Sequence, residues 1–185
     1  VVGAVEDGRA LLDAATRLRP DLILLDISMP LLNGVDAARQ LKKLLPDVKL
    51  IFVTMHADPA YVSEAFKAGA SAYLLKRSAA RELEQAIDSV MKGQYFVTSL
   101  LTKDLVTTLS AGQAGLFAQR QELTPRQREV LQLIAEGRTI KEIASLLNIS
   151  PKTVEFHKAQ IIFHLNLRTT AELTKYALAH GLTSA

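Results

Sequence analysis

The sequence predicts an α/β domain with a parallel β-sheet, followed by a smaller domain made only of α-helices. In the first half, short runs of Val, Ile and Leu alternate with segments whose apolar residues recur at helical spacing. Near-continuous apolar strands that alternate with helices are typical of parallel sheets, whose two faces are both covered. From residue 122 onward, four helical segments follow one another with no strand pattern. The 185 residues are enough for two such domains.

The elements of the first domain can be read in order. The strand candidates are VVGAV, DLILLD, VKLIFVT and AYLLK, and helix candidates such as AARELEQAIDSVMKG follow them. Residues 96–121 are rich in Thr, Ser, Gly and Gln, and only Leu105 to Leu109 indicates a short helix, so this segment is predicted to be a linker. The predicted divisions are therefore 1–95, 96–121 and 122–185.

The helical domain carries start and stop signals. Thr124 and Ser150 are predicted N-caps, each followed by Pro at the first helical position, and Gly137 and Gly181 are predicted to end helices. Helix, turn, helix, short turn, helix is the order of a helix-turn-helix, in which the helix that starts at Pro151 would enter the major groove of DNA.

Composition and charge narrow the function classes. The absence of Cys excludes disulfides and thiolate metal sites, and no apolar stretch is long enough to span a membrane, so we expect a cytoplasmic protein. Residues 1–119 contain 13 Lys+Arg and 13 Asp+Glu, whereas residues 120–185 contain 9 and 6. The net charge of +3 therefore lies in the helical domain, which favours nucleic-acid binding, although ordinary surfaces also carry such an excess.

Polar residues follow three strands of the predicted sheet. Asp26 comes after LILL, Thr54 after LIFV and Lys76 after AYLL. Because the carboxyl ends of parallel strands meet at one edge of a sheet, a carboxylate, a hydroxyl and an ammonium should converge there. A carboxylate can attack phosphorus to form an acyl phosphate, while the other two groups bind the phosphoryl oxygens. The alternative is that each is an ordinary strand-end residue facing solvent.

The stretches LLDISMPLLNG, FVTMHAD and KAGASAYLLK resemble the receiver domain of two-component response regulators. The resemblance implies a flavodoxin-like fold with strand order 2-1-3-4-5 and phosphorylation of Asp26 by a phosphohistidine of a sensor kinase. It also implies that Mg²⁺ is held by Asp26 and the backbone carbonyl of Ile27, and that Tyr73 is an aromatic switch that moves inward behind Thr54.

One departure from the family pattern concerns the start of the chain. Receiver domains begin with a strand that ends in a metal-binding acidic pair and leads into a helix, but this sequence opens at VVGAVEDG, which matches the second strand. The acidic pair is therefore absent from this chain, and Glu6 and Asp7 are poor substitutes because their position leads into the second helix. Val rather than Met at position 1 suggests a natural chain that begins earlier. Alternatively, a partner supplies the missing strand and helix, or the receiver is degenerate.

Several polar residues of the helix that starts at Pro151 suit DNA contacts. Lys152 and Lys158 can reach phosphates or guanine edges, and Thr153 and Gln160 can donate to the DNA backbone or to adenine. The alternative is a solvated amphipathic surface.

The stretches LTPRQREVL, EIASLLNIS and KTVEFH resemble the LuxR-type DNA-binding domain of the NarL/FixJ regulators. The resemblance implies phosphate contacts from Thr124, Arg138 and Lys141, and an intradomain role for Glu129. Four residues are implied to face the bases: Lys152, Glu155, Phe156 and Ala159. Four in the last helix are implied to form a dimer surface, with a plain bundle-closing role as the alternative: Leu173, Tyr176, Ala177 and His180.

These features predict a response regulator transcription factor and not an enzyme. Its predicted partners are a sensor histidine kinase, double-stranded DNA with inverted half-sites and a second copy of the chain. The rival prediction is a phosphorylation-independent DNA-binding and dimerisation module with a degenerate receiver. A phosphatase is disfavoured because the sequence offers no second nucleophile or substrate pocket.

Overall fold

The structure is a computed structural model, which describes residues 1–101 and 123–183. The chain divides into two compact units, one built mainly on a β-sheet and the other on the C-terminal helices. The predicted short helix at 105–109 and most of the predicted linker lie outside the described residues. No helix of the described residues is both long and apolar enough to cross a membrane.

The first unit contains a parallel four-stranded sheet in the order β1-β2-β3-β4. The strands are β1 (Leu22–Leu25), β2 (Lys49–Thr54), β3 (Ala72–Leu75) and β4 (Phe96–Val97). The helices are α1 (Gly8–Leu18), α2 (Gly34–Leu44), α3 (Pro59–Lys67) and α4 (Lys76–Met91).

The apolar runs form the centre of the sheet, as predicted. Every side chain of β3 is buried, because this strand has a neighbour on each side and helices on its faces. Ile51 of β2 and Leu74 of β3 pack against Ala86 and Val90 of α4. Because β1 pairs with β2 and β2 with β3, all in parallel, the carboxyl ends of these strands lie side by side at one edge.

Two predictions about the sheet are wrong. Residues 1–5, predicted to be a strand, lie outside the sheet and are exposed. They have no neighbouring strand among the described residues, and without a ladder partner an extended segment cannot satisfy its backbone groups in a sheet. Conversely, Phe96 and Val97 were assigned to the linker but pair with Ala72 and Tyr73 as β4. The sheet therefore extends past the predicted boundary at residue 95.

The second unit contains four helices: α5 (Pro125–Ala135), α6 (Ile140–Leu147), α7 (Pro151–Leu165) and α8 (Thr170–Ala179). Thr124 and Ser150 are N-caps as predicted, since each side chain accepts a backbone N–H three residues later. Thr139 and Thr169 cap α6 and α8 within capping boxes.

The core of the helical unit is formed by one face of each helix. It includes Val130 and Leu133 of α5, Ile143 of α6, Val154 of α7 and Leu173 of α8. The predicted architecture, a parallel α/β domain followed by a helix-turn-helix domain, is confirmed.

Candidate functional site

Asp26 and Lys76 form an ion pair at the carboxyl edge of the sheet. Asp26 directly follows β1, and Lys76 is the first residue of α4, directly after β3. Their Oδ2 and Nζ atoms lie 2.6 Å apart, with 22% of the Asp26 side chain and 48% of the Lys76 side chain exposed. The carboxylate is thus accessible to a small molecule, and the ammonium beside it can stabilise added negative charge.

Thr54 ends β2, the strand that lies between β1 and β3. Its side chain is fully buried, and its Oγ1 lies 3.4 Å from the backbone nitrogen of His56, which donates to it. The topology therefore brings all three predicted strand-end residues to the same edge.

Tyr73 of β3 is fully buried, and its hydroxyl donates to the backbone carbonyl of His56 at 2.9 Å. The His56 ring packs on Tyr61, with ring centroids 4.5 Å apart. Burial, followed by the neighbouring Tyr61 and Asp26, raises the pKa of the Tyr73 hydroxyl well above its usual range. Tyr73 therefore stays a neutral hydrogen-bond donor and links the buried side of β3 to the loop after Thr54.

The loop after Asp26 is closed by Gly34. Its backbone N–H donates to the carbonyl of Ile27 at 2.8 Å. A Cβ atom at this position would lie 1.9 Å from the carbonyl oxygen of Asp26, far inside contact distance. Glycine is therefore required here because of the close approach of two backbone segments.

Receiver domains generally bind Mg²⁺ for phosphorylation. Within the described residues, however, no group of three or more His, Asp or Glu side chains could hold a metal ion. Asp7 instead caps α1, where it accepts the N–H groups of Arg9 and Ala10. The predicted Ile27 carbonyl accepts the Gly34 N–H and keeps a second lone pair for a metal ion. The described residues thus provide the Asp26 carboxylate but no cluster of three metal-binding side chains around it.

A second polar cluster, around Glu82 of α4, was not predicted. The Glu82 carboxylate accepts hydrogen bonds from the hydroxyls of Ser78, Thr98 and Ser99 and from the backbone N–H of Ser99. Burial by itself would raise the pKa of Glu82, but these hydrogen bonds outweigh it and lower the pKa below its ordinary value. The cluster fastens the residues after β4 onto α4. Ser and Thr are too common for spacing to reveal it.

The α7 helix divides into an inward and an outward face. Val154 and Ile161 are fully buried, and Leu165 is half-buried. After the first residue of the helix, seven side chains are exposed: Lys152, Glu155, Phe156, Ala159, Gln160, Phe163 and His164. The four residues predicted to face bases are all on this outward face.

Gln160, another predicted DNA contact, is on the outward face, whereas Lys158 and Thr153 lie partly inside the domain. The Lys158 ammonium lies 3.4 Å from the hydroxyl of Thr170, and the side chain is half-buried. The hydroxyl of Thr153 lies 2.8 Å from that of Ser150, within the cap of the helix. Both groups therefore contribute to the fold of the unit.

The predicted phosphate contacts lie at helix starts. Thr124 is exposed and caps α5. Arg138 and Lys141 are exposed on either side of the α6 N-cap, where two cations can reach a DNA backbone. The intradomain role predicted for Glu129 is confirmed, because this buried carboxylate pairs with Arg126 at 2.8 Å.

The predicted dimer surface is only partly available. Leu173 and Ala177 are fully buried in the core of their own domain, so they cannot present side chains to a second copy in this conformation. Helical spacing identifies an apolar face but not what covers it, and here α5 does. Tyr176 and His180 are half-buried and stack on each other, with ring centroids 3.8 Å apart.

Two family patterns match the chain. Residues 1–88 match the response regulator receiver domain, and residues 121–177 match the bacterial regulatory proteins of the luxR family.

Relatives match nearly the whole chain. The oxygen regulatory protein NreC of Staphylococcus epidermidis is 36% identical over 188 residues, which cover 98% of this chain and 86% of NreC. The transcriptional regulatory protein MctR of Rhizobium johnstonii is 34% identical over 174 residues, which cover 94% of this chain and 78% of MctR. The response regulator UvrY of Escherichia coli is 33% identical over 167 residues, which cover 89% of this chain and 75% of UvrY.

Solved structures of a response regulator are also similar. RcsB of Salmonella typhimurium superposes with a TM-score of 0.61 at 28% identity, covering all of this chain and 85% of RcsB. A structure of two RcsB dimers bound to two parallel DNAs gives a TM-score of 0.52 at 28% identity, covering 95% of this chain and 83% of the RcsB chain.

Proposed function

Since this chain belongs to the two-component response regulators that join a receiver domain to a LuxR-type DNA-binding domain, we propose that phosphorylation of Asp26 controls its binding to promoter DNA. Members of this family are transcription factors rather than enzymes, and they act with histidine kinases and DNA. The cognate kinase would deliver the phosphoryl group in the cytoplasm, where the promoter also lies.

The observation that carries the proposal is the ion pair between Asp26 and Lys76. An Asp26 oxygen attacks the phosphorus of a phosphohistidine, the P–N bond breaks, and an acyl phosphate forms. The phosphoryl group carries more negative charge than the carboxylate it replaces. Lys76, whose ammonium already contacts the Asp26 carboxylate, would bind one of its oxygens.

The proposed signal path runs through Thr54 and Tyr73. The Thr54 hydroxyl is at the edge of the sheet and would hydrogen-bond a phosphoryl oxygen. Movement of Thr54 carries with it the loop at His56, whose carbonyl is bonded to the Tyr73 hydroxyl. Phosphorylation would thereby shift the equilibrium between two packings of this loop against β3.

For the output, we propose that the exposed face of α7 enters the major groove while Arg138 and Lys141 bind phosphates. A dimer on inverted half-sites is the proposed active form, supported by the DNA-bound RcsB dimers. In this proposal the partly exposed Tyr176 and His180 contribute to the dimer surface, together with Leu178, which is 38% exposed.

A second candidate is a regulator that binds DNA independently of phosphorylation. It is favoured by one observation: within the described residues, Asp26 belongs to no cluster of three or more His, Asp or Glu side chains that could hold a metal ion. In that case the receiver unit would be a docking or dimerisation surface.

The experiment that separates the two candidates measures the affinity for DNA with and without acetyl phosphate and Mg²⁺. The DNA would be the duplex enriched from a random library by this chain. The control variant is Asp26→Asn, which keeps the shape of the side chain. An affinity that acetyl phosphate changes in the parent but not in Asp26→Asn supports control by phosphorylation. Equal affinity under all four conditions supports the second candidate.

A further inference from the structure

The outward face of α7 carries almost no net charge. Among its exposed residues are one lysine, Lys152, and one glutamate, Glu155. Two of the largest exposed side chains of the unit, Phe156 and Phe163, lie on the same face. This face therefore contributes little to phosphate attraction, which the cations at the start of α6 supply instead. Its N-terminal half, which holds Phe156 but not Phe163, contributes selective contact with bases.

Phe156 is well placed for such a contact. It lies in the second turn of α7, and the N-terminal residues of a reading helix are those that reach base edges. Its side chain is 60% exposed, whereas Val154, two residues earlier, is fully buried. Its ring and that of His157 meet in a T-shaped arrangement, with centroids 5.9 Å apart.

The neighbour of Phe156 one turn along the helix is a small residue. Ala159, one turn later, is exposed and ends at Cβ. Ala159 and Phe156 are three residues apart and lie on the same side of the helix. Together they make an apolar strip between Lys152 and Gln160.

Only one base offers an apolar group in the major groove, and that is thymine, through its 5-methyl group. We propose that Phe156 and Ala159 bind a thymine methyl group and so make Phe156 a specificity-determining residue of this regulator. Cytosine at the same position would lack the methyl group and would place a polar amine where thymine has its O4 oxygen. This inference rests on the proposed DNA-binding function.

The test removes single methyl groups from the DNA. The full chain would select duplexes from a random library, with and without acetyl phosphate, and each thymine of the enriched half-site would then be replaced in turn by uracil. Uracil pairs as thymine does but lacks the methyl group. We expect one thymine per half-site whose replacement weakens binding about fourfold, the value of one buried methyl group.

Two variants assign that effect to a residue. In Phe156→Ala, thymine and uracil at this position should bind equally well, and in Phe156→Leu part of the preference should be kept. Phe163→Ala is the matched control, because this phenylalanine is 85% exposed two turns further along the same helix. It should retain the full preference for thymine.

The outcomes are distinguishable. If no duplex is enriched and none is bound by the folded chain, DNA binding itself fails and the inference fails with it. If enriched DNA is bound but uracil costs nothing at any position, the proposed function stands and the thymine contact is refuted. If Phe156→Ala keeps the preference for thymine over uracil and Phe163→Ala loses it, the assignment of the thymine contact to Phe156 is also refuted.

Discussion

The ammonium of Lys76 lies 2.6 Å from the carboxylate of Asp26, across the end of a strand to which neither residue belongs. Asp26 follows β1 and Lys76 follows β3, while β2 runs between them and ends at Thr54. This relationship depends on the parallel order of the sheet rather than on proximity in the sequence. The chemistry proposed for the receiver unit thus follows directly from its topology.

Replacing Lys76 with Met should slow phosphorylation of Asp26. The variant keeps the length of the side chain but removes the charge that would stabilise the incoming phosphoryl oxygens, so we expect a reduction of about 10- to 100-fold. The rate is measured by intact mass spectrometry with acetyl phosphate as donor. Arg77→Met, which removes an exposed charge from the next residue of α4, should leave the rate unchanged. Equal rates for Lys76→Met and the parent would contradict the proposed role.

Gly34→Ala should destabilise the first unit and displace Asp26. The added Cβ would lie 1.9 Å from the Asp26 carbonyl oxygen, and both atoms belong to backbone segments that must move apart. We expect a loss of about 3 kcal/mol or more in the free energy of unfolding, measured in urea. The control is Gly93→Ala, where a Cβ meets nothing within 4 Å and only the positive φ is costly. Gly93→Ala should lose about 1 kcal/mol in the free energy of unfolding. If Gly34→Ala loses no more than this, the steric explanation is contradicted.

The Glu82 cluster should make the end of the first unit sensitive to acid. Because the folded pKa of Glu82 is lowered, the stability from its ionised form is fully present above the ordinary value of 4.5 and is lost as the pH falls through the folded pKa. Glu82→Gln should therefore reduce protection of the Thr98 amide from hydrogen exchange at neutral pH, by about 1–2 kcal/mol.

The difference between Glu82→Gln and the parent should shrink as the pH is lowered below 4.5. The measurement is the exchange rate of the Thr98 amide, which donates to the Tyr73 carbonyl at 2.9 Å. Glu84→Gln, at an exposed position of the same helix, serves as the control. A pH-independent difference would show that the charge of Glu82 is not what holds the cluster together.

Lys141→Ala should weaken DNA binding without changing which sequence is preferred. An exposed lysine that binds one phosphate contributes through counterion release, so its loss should reduce the slope of log K against log salt by about 1. Binding is measured at several salt concentrations on an enriched and an unrelated duplex. Lys43→Ala, an exposed lysine of the first unit, should leave the slope unchanged. A loss of affinity on the enriched duplex alone would indicate a base contact instead.

Much of the fold could be predicted because its signals are local. The runs LILL and AYLL consist largely of β-forming apolar residues, and Thr124 and Ser150 precede Pro at helix starts. The edge that unites Asp26, Thr54 and Lys76 could be predicted too, since the carboxyl ends of parallel strands always lie together.

What could not be predicted depends on contacts between distant parts of the chain. The two-residue strand at Phe96 is too short for a periodic pattern and is formed by pairing with β3. For the apolar face that includes Leu173, the resemblance implied a dimer surface, and closing the helical bundle was the alternative. The face packs on α5, and spacing cannot distinguish these outcomes. The segment 1–5 has the composition of a strand but no neighbouring strand in the part of the chain that the structure describes.

The most direct test of the central claim is the intact mass of the chain after incubation with acetyl phosphate and Mg²⁺, beside the Asp26→Asn variant. The proposed function predicts a gain of about 80 Da, one phosphoryl group, on the parent and none on the variant. An unchanged mass of the folded parent, or an equal gain on Asp26→Asn, would contradict the assignment of Asp26 as the phosphoacceptor.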